Sequence, residues 1–197
     1  NFMKELRSQV EYCNKFNDIR DVEQLTFIIN GLLECDRTLT LWPRNIFHKV
    51  ERDEDDEKSQ DEIVDFILEL RLAIEEAKKY LRGALDGLVA RAVSELNNKI
   101  FPEIQEKWSV IHKEDKIQKE DSKFIESRLL LYARISKLLV DASPDVLGDV
   151  KGSLEVLTSV YRALSNKSNW IHAESLEVFN EAADKIGLPT IAFDPDD

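Results

Sequence analysis

The stretch DEIVDFILELRLAIEEAKKYLRGALDGLVARAVSELN, residues 61–97, contains no proline and decides the fold class. Within it Ile63, Ile67, Leu70, Ile74, Ala77, Leu81, Ala84 and Leu88 follow one another in alternating steps of four and three. A strand would place every second residue on one face, whereas these steps match the 3.6-residue turn of an α-helix. A second stripe, Leu85, Val89, Ala92, Val93 and Leu96, widens the apolar face toward the C-terminal half. A narrow coiled-coil seam does not widen in this way, so the pattern predicts a helix covered by other helices of the same chain. At 1.5 Å per residue it would span ~50 Å. Gly83 and Gly87 interrupt it. Each costs about 1 kcal/mol relative to alanine in a helix interior, and the pair is expected to mark a close approach or a bend.

Outward from this element the same periodicity recurs. Phe2, Leu6, Val10, Cys13 and Phe16 form one helical face upstream. Leu25, Ile28, Ile29, Leu32 and Cys35 form another, starting near Asp21, which reads as an N-cap with Gln24 completing a capping box. Trp42-Pro43 is expected to break that helix and leave Pro43–Val50 as a short one. Glu51–Glu57 then carries six acids in seven positions, and residues 51–60 are predicted to form a solvated acidic loop. Downstream, Phe101-Pro102 is expected to end or kink the long helix. Ile104, Trp108 and Ile111 share a face, and the charged stretch 113–121 reads as a linker or an exposed helix face. Phe124, Leu131, Ile135, Leu138 and Leu139 define a further helix. Ser143-Pro144-Asp145 is a start signal for the next, which carries Leu147, Val150, Leu154, Leu157, Tyr161 and Leu164. A last helix ends at Gly187, well placed as a left-handed C′ cap, with Pro189 beyond it. The chain is thus expected to be all-α, a bundle of five long and two short helices built around one long central helix. It is expected to form a single domain over 1–197, with 113–121 the place where a subdivision would fall. Gly148 and Gly152, four apart, suggest a small-residue packing seam.

The totals agree with a folded helical protein. Hydrophobic residues make up 43% and charged residues 34%, while only 6 glycines and 5 prolines occur in 197 residues. The net charge of −12 repels phosphate and disfavours nucleic acid and anionic membranes as partners, while it favours basic proteins. No apolar run is long enough to span a bilayer. Cys13 and Cys35 form no disulfide framework and no CxxC site, and they read as reduced thiols of a soluble intracellular, cytoplasmic protein. Asn1 and Phe2 precede Met3, the only methionine and the candidate native start.

Signatures of catalysis are largely missing. The sequence has no P-loop, no GxGxxG, no GxSxG and no HExxH. A carboxylate-bridged di-metal bundle needs Glu three residues before His, but Asn45, Ser109 and Asn169 hold those positions before His48, His112 and His172. No metal and no cofactor is therefore expected. The acidic run lacks the order of an EF-hand loop. One pair stands out: Arg44 and His48, four apart, share a helical face. Histidine can move the proton in RNA cleavage while arginine steadies the phosphorane charge. The segment Arg44-Asn45-Ile46-Phe47-His48 resembles the Arg/His helix of the all-helical HEPN ribonucleases, which carry a polar residue after the arginine. It departs from them in spacing, with three residues intervening. The same pair could equally stand at a helix end for electrostatic reasons alone.

Trp42, Trp108 and Trp170 sit at segment edges, where they are expected to be core anchors or, alternatively, binding hot spots. The leading expectation is a non-enzymatic interaction or regulatory bundle that binds a basic protein partner. One concrete version is an inhibitor that mimics nucleic-acid charge. The alternatives are a HEPN-like ribonuclease using Arg44 and His48, and a helical domain of a larger scaffold or trafficking protein.

Overall fold

In the computed structural model the backbone is described for residues 2–13, 16–52 and 60–192, and side chains for these same residues except 2, 3, 6, 11, 12, 42–52 and 60. The chain is all-α: among the described residues there is no strand. The helices are α1 (Phe2–Tyr12), α2 (Ile19–Arg52), α3 (Gln60–Glu95), α4 (Phe101–Ile111), α5 (Lys119–Ala142), α6 (Leu147–Lys167) and α7 (Ala173–Ile186). A π turn, Leu96–Ile100, joins α3 to α4 without a break, so that one long central helix runs from Gln60 to Ile111.

At both prolines, Pro43 and Pro102, the expected helix end is absent. Helix α2 does not stop at Trp42-Pro43 but runs through it to Arg52, so the expected short helix 43–50 is its last part. The proline removes one N–H and leaves only Leu39's carbonyl without its helical donor, a local cost that the turns on both sides offset. At Phe101-Pro102 the backbone neither ends nor leaves the helical region. The Phe101 N–H reaches back five residues to the Leu96 carbonyl. That widened turn supplies the room that the Pro102 ring would otherwise take from the Asn98 carbonyl.

The chain divides into two compact units: residues 1–12 with 27–88, and residues 13–26 with 89–197. Helices α2 and α3 contribute to both. In the first unit Ile28, Ile29, Leu32, Ile74, Leu81 and Leu88 are buried. The Arg7 guanidinium stands 4.5 Å from the Tyr80 ring centroid and ties α1 to α3 by a cation–π contact.

The second unit is organised around α5, which packs against α4, α6 and α7. Leu129, Tyr132, Ile135 and Leu139 of α5 are fully buried with Leu154, Leu157 and Tyr161 of α6 and Phe179 of α7. The start of α2 is a reciprocal cap, one turn earlier than the expected Asp21/Gln24 box. Asp18 Oδ1 accepts from the Arg20 and Asp21 N–H groups, and Asp21 Oδ2 accepts from those of Asn17 and Asp18. The Tyr132 hydroxyl donates to Asn97 Oδ1 at 2.9 Å, and Asn97 Nδ2 donates to the Asp149 carbonyl, so one amide in the π turn links α5 to α6.

The charged stretch 113–121 lies inside this unit. There the Ile117 N–H donates to the Lys167 carbonyl and the Lys167 ammonium to the His112 carbonyl. Ser143 begins a 3-10 turn, Pro144–Val146, ahead of α6, but its hydroxyl makes no cap bond. Gly187, at φ 87°, closes α7 in the left-handed region. The Leu188 N–H returns to the Ala183 carbonyl and the Gly187 N–H to that of Asp184, a Schellman pair. Among the described residues Gly148 and Gly152 form no packing seam: a Cβ at either would meet nothing within 4 Å.

Candidate functional site

On the N-terminal half of α3 the predicted stripe turns inward only in part. Ile74 is buried, while Ile63, Ile67 and Leu70 are half-buried. An ordinary surface helix concentrates its apolar residues in one such stripe. Here a second apolar row stands on another face. Val64, Leu68 and Leu72, each four residues from the next, are 52%, 51% and 66% exposed. At ~100° per residue this row is centred about 130° around the helix from the first. Residues four apart on a helix lie ~5–6 Å from one another at Cβ, so the three side chains form one strip rather than scattered spots.

Acids border the strip. Asp61, Asp65, Glu69, Glu75 and Glu76 are all exposed, and residues 61–76 hold six acids and one base, Arg71. Beyond Leu72 a depression of about 600 Å³ opens beside Glu75, Glu76, Lys79, Arg82 and Gly83. The glycine is not there to admit a neighbour, because a Cβ at Gly83 or Gly87 would meet nothing within 4 Å. The expected close approach at these two glycines is absent among the described residues.

The residues singled out from sequence have different fates. Arg44 and His48 both lie on the continuous helix α2, four residues apart, and their side chains are outside the described residues. The Trp42 side chain is likewise outside them, as is most of the acidic stretch 51–60. Trp108 is half-buried on α4, its ring 6.1 Å from that of His112. Trp170 is 45% exposed in the α6–α7 connection, with the Lys119 ammonium 4.9 Å from its ring centroid. That lysine covers one face of the ring.

Burial pushes the Cys13 thiol up from its ordinary value, and burial raises Cys35 as well, so both remain protonated thiols near neutral pH. Among the described residues no group of three His, Cys, Asp or Glu side chains could hold a metal ion. Among them, too, no helix is long and apolar enough to cross a membrane.

The one buried carboxyl among the described residues is Glu126 of α5, in the second unit. Its Oε2 accepts from the Tyr161 hydroxyl at 3.4 Å and from the His172 N–H at 3.3 Å. His172 is the N-cap of α7 and has no side-chain cap bond of its own. Glu126 therefore caps α7 from a neighbouring helix, next to the buried Ser122–Ser168 hydroxyl pair at 2.6 Å. Desolvation raises its pKa, and desolvation together with the nearby carboxylate pushes that of Tyr161 up further. The cluster joins three helices and is occupied with holding them.

The Val64/Leu68/Leu72 strip is legible in the sequence as spacing but not as a site. Its steps of four are plain, yet a helix that is apolar at several registers could equally be buried all round. No protein-family model, no curated protein and no solved structure matches the chain.

Proposed function

We propose that the protein is a non-enzymatic interaction module whose α3 face receives a basic amphipathic helix of a partner protein. The acid-bordered strip of Val64, Leu68 and Leu72 carries the reading. An apolar helix stripe docks against another such stripe, and lysines or arginines flanking it would meet Asp61, Asp65, Glu69 and Glu76. Fully burying an aliphatic side chain stabilises by ~1.5–3 kcal/mol, so three half-exposed ones supply about 3 kcal/mol from this side. The partner's stripe adds a similar amount, set against an association cost of ~4–15 kcal/mol. Apolar burial alone therefore barely offsets that cost, and the flanking charge pairs must supply the remainder, as in a weak, transient contact.

The test is fluorescence anisotropy with a labelled helical peptide carrying leucines four apart among lysines. Saturable binding is expected, with Leu68→Glu or Leu72→Glu weakening it at least ~10-fold while Leu68→Met leaves it within ~3-fold. Equal binding by wild type and both glutamate variants removes the proposal.

A ribonuclease reading keeps one supporting observation, the placement of Arg44 and His48 on a single unbroken helix. RNA cleavage that disappears in His48→Ala would favour it over the docking reading.

A further inference from the structure

A second surface, in the other unit, carries two arginines and one aspartate, Asp18. A groove of about 350 Å³ lies between the start of α2 and the middle of α5. Ile19, Val22, Phe124 and Leu131 supply its apolar walls, and Arg128 and Arg134 line it as well. Two arginines on an apolar groove stand out in a chain of net charge −12.

The polar groups at this groove differ in what they have left to offer. Arg128 is engaged: Nη1 donates to the Asn17 carbonyl at 3.0 Å, Nε lies 3.5 Å from Glu103, and the guanidinium sits 5.4 Å from the Phe124 ring centroid. Lys107, 5.9 Å from the same ring centroid, is paired with Asp121 at 2.8 Å. The N-terminus of α2 is closed to an outside anion, because Asp18 and Asp21 already accept from its N–H groups. Arg134 is half-buried and has no hydrogen bond or ion pair among the described residues. A guanidinium in that setting, beside an apolar groove, matches a carboxylate attached to an apolar group.

The exposure of the lips decides what kind of molecule carries that carboxylate. Ile19 is 48% exposed and Phe124 38% exposed. A small amphiphile confined to the groove would leave both wet, whereas a chain lying across it would cover them. We propose that this groove binds an acidic segment of a partner polypeptide, one bulky apolar side chain entering between Ile19, Val22 and Phe124 and a neighbouring carboxylate pairing with Arg134. Arg128 is a positioning residue, holding the Phe124 ring and the Asn17 turn. The acidic segment and the basic helix proposed for α3 are recognised by separate surfaces, so either can fail without the other.

A short labelled peptide with one phenylalanine followed by aspartates tests this by anisotropy on the full chain. Saturable binding is expected, weakened at least ~10-fold by Arg134→Glu and to a lesser degree by Arg134→Gln. Replacing the aspartates of the peptide by asparagines should cause a comparable loss, and Leu68→Glu should cause none. Because no described residue pairs with Arg134, both variants should keep the helical circular dichroism of the parent, and the asparagine peptide reads the same interaction on unaltered protein. Equal binding by the Arg134→Glu variant, equal binding of the asparagine peptide, or binding of decanoate but not of the aspartate peptide each overturns the proposal.

Discussion

The carboxyl of Glu126 lies at the N-terminus of α7, where a helix dipole favours negative charge, yet burial keeps its pKa above the usual carboxylate range. The His172 N–H and the hydroxyls of Ser175 and Tyr161 pull it back only in part. For an acid with a raised folded pKa, the native state holds a proton that the unfolded state has already released. Stability from this group is therefore full below its unfolded value near 4.5 and is lost as pH rises through the higher folded value. Glu126→Gln keeps an oxygen acceptor for His172 and Tyr161 and removes the titration. The melting temperature of the variant relative to wild type should be higher at pH 7 than at pH 4, and a pH-independent difference would contradict the assignment. Gly83 and Gly87 make a second residue-scale case. Both are exposed in α3, with open space where a methyl group would stand. Alanine at either should raise stability by about 0.5–1 kcal/mol, measured by urea denaturation, since only backbone entropy changes.

At the scale of elements, α5 and the start of α3 represent opposite regimes. Leu129 and Ile135 are fully buried between α5 and its neighbours. Truncating either to alanine should cost about 2–5 kcal/mol, because the lost methylenes leave a cavity. Leu68→Ala, on the exposed strip, should change stability by no more than ~0.5 kcal/mol while weakening partner binding. Hydrogen exchange should show the same ordering, with α5 amides most protected and those of residues 61–72 opening more readily. The helices themselves are readable in the sequence because periodicity is local: each stripe lies within a few turns, and Gly187 needs only its own φ to close α7. The continuity of α2 through Pro43 is not readable that way. The rule for a residue before proline weighs one peptide bond, not the turns on either side. Asp21 lies one turn from its expected role for a related reason. A capping aspartate and the third residue of a capping box share the same chemistry, and only the Asp18 side chain's bonds to Arg20 and Asp21 tell them apart. The groove is invisible in the sequence because its walls are far apart along the chain: Arg128 and the Asn17 carbonyl it holds are 111 residues distant.

For the whole molecule, charge and shape act on different steps of recognition. A net charge of −12 raises the encounter rate of any basic partner, and that gain is screened over a Debye length of ~8 Å at physiological salt. In the proposed complex the apolar strip of α3 would act after encounter, by slowing escape. These contributions separate kinetically. For the lysine-flanked peptide, raising the salt from ~0.01 to ~0.15 M should lower the association rate constant ~10-fold with little change in the dissociation rate constant. Leu68→Ser keeps every charge, so it should leave the association rate and its salt dependence intact and accelerate dissociation. The aspartate peptide faces the reverse field: the protein's overall charge repels it, and only the local arginines of the groove attract it. Its association should therefore speed up with salt over the range where long-range repulsion is screened, even as the contact with Arg134 weakens. Stopped-flow traces of the two peptides on one protein preparation would show the opposite slopes. If both rates fell with salt in parallel, the groove would not lie in the field that the sequence composition implies, and the pairing of two oppositely charged partners with one acidic chain would have to be abandoned.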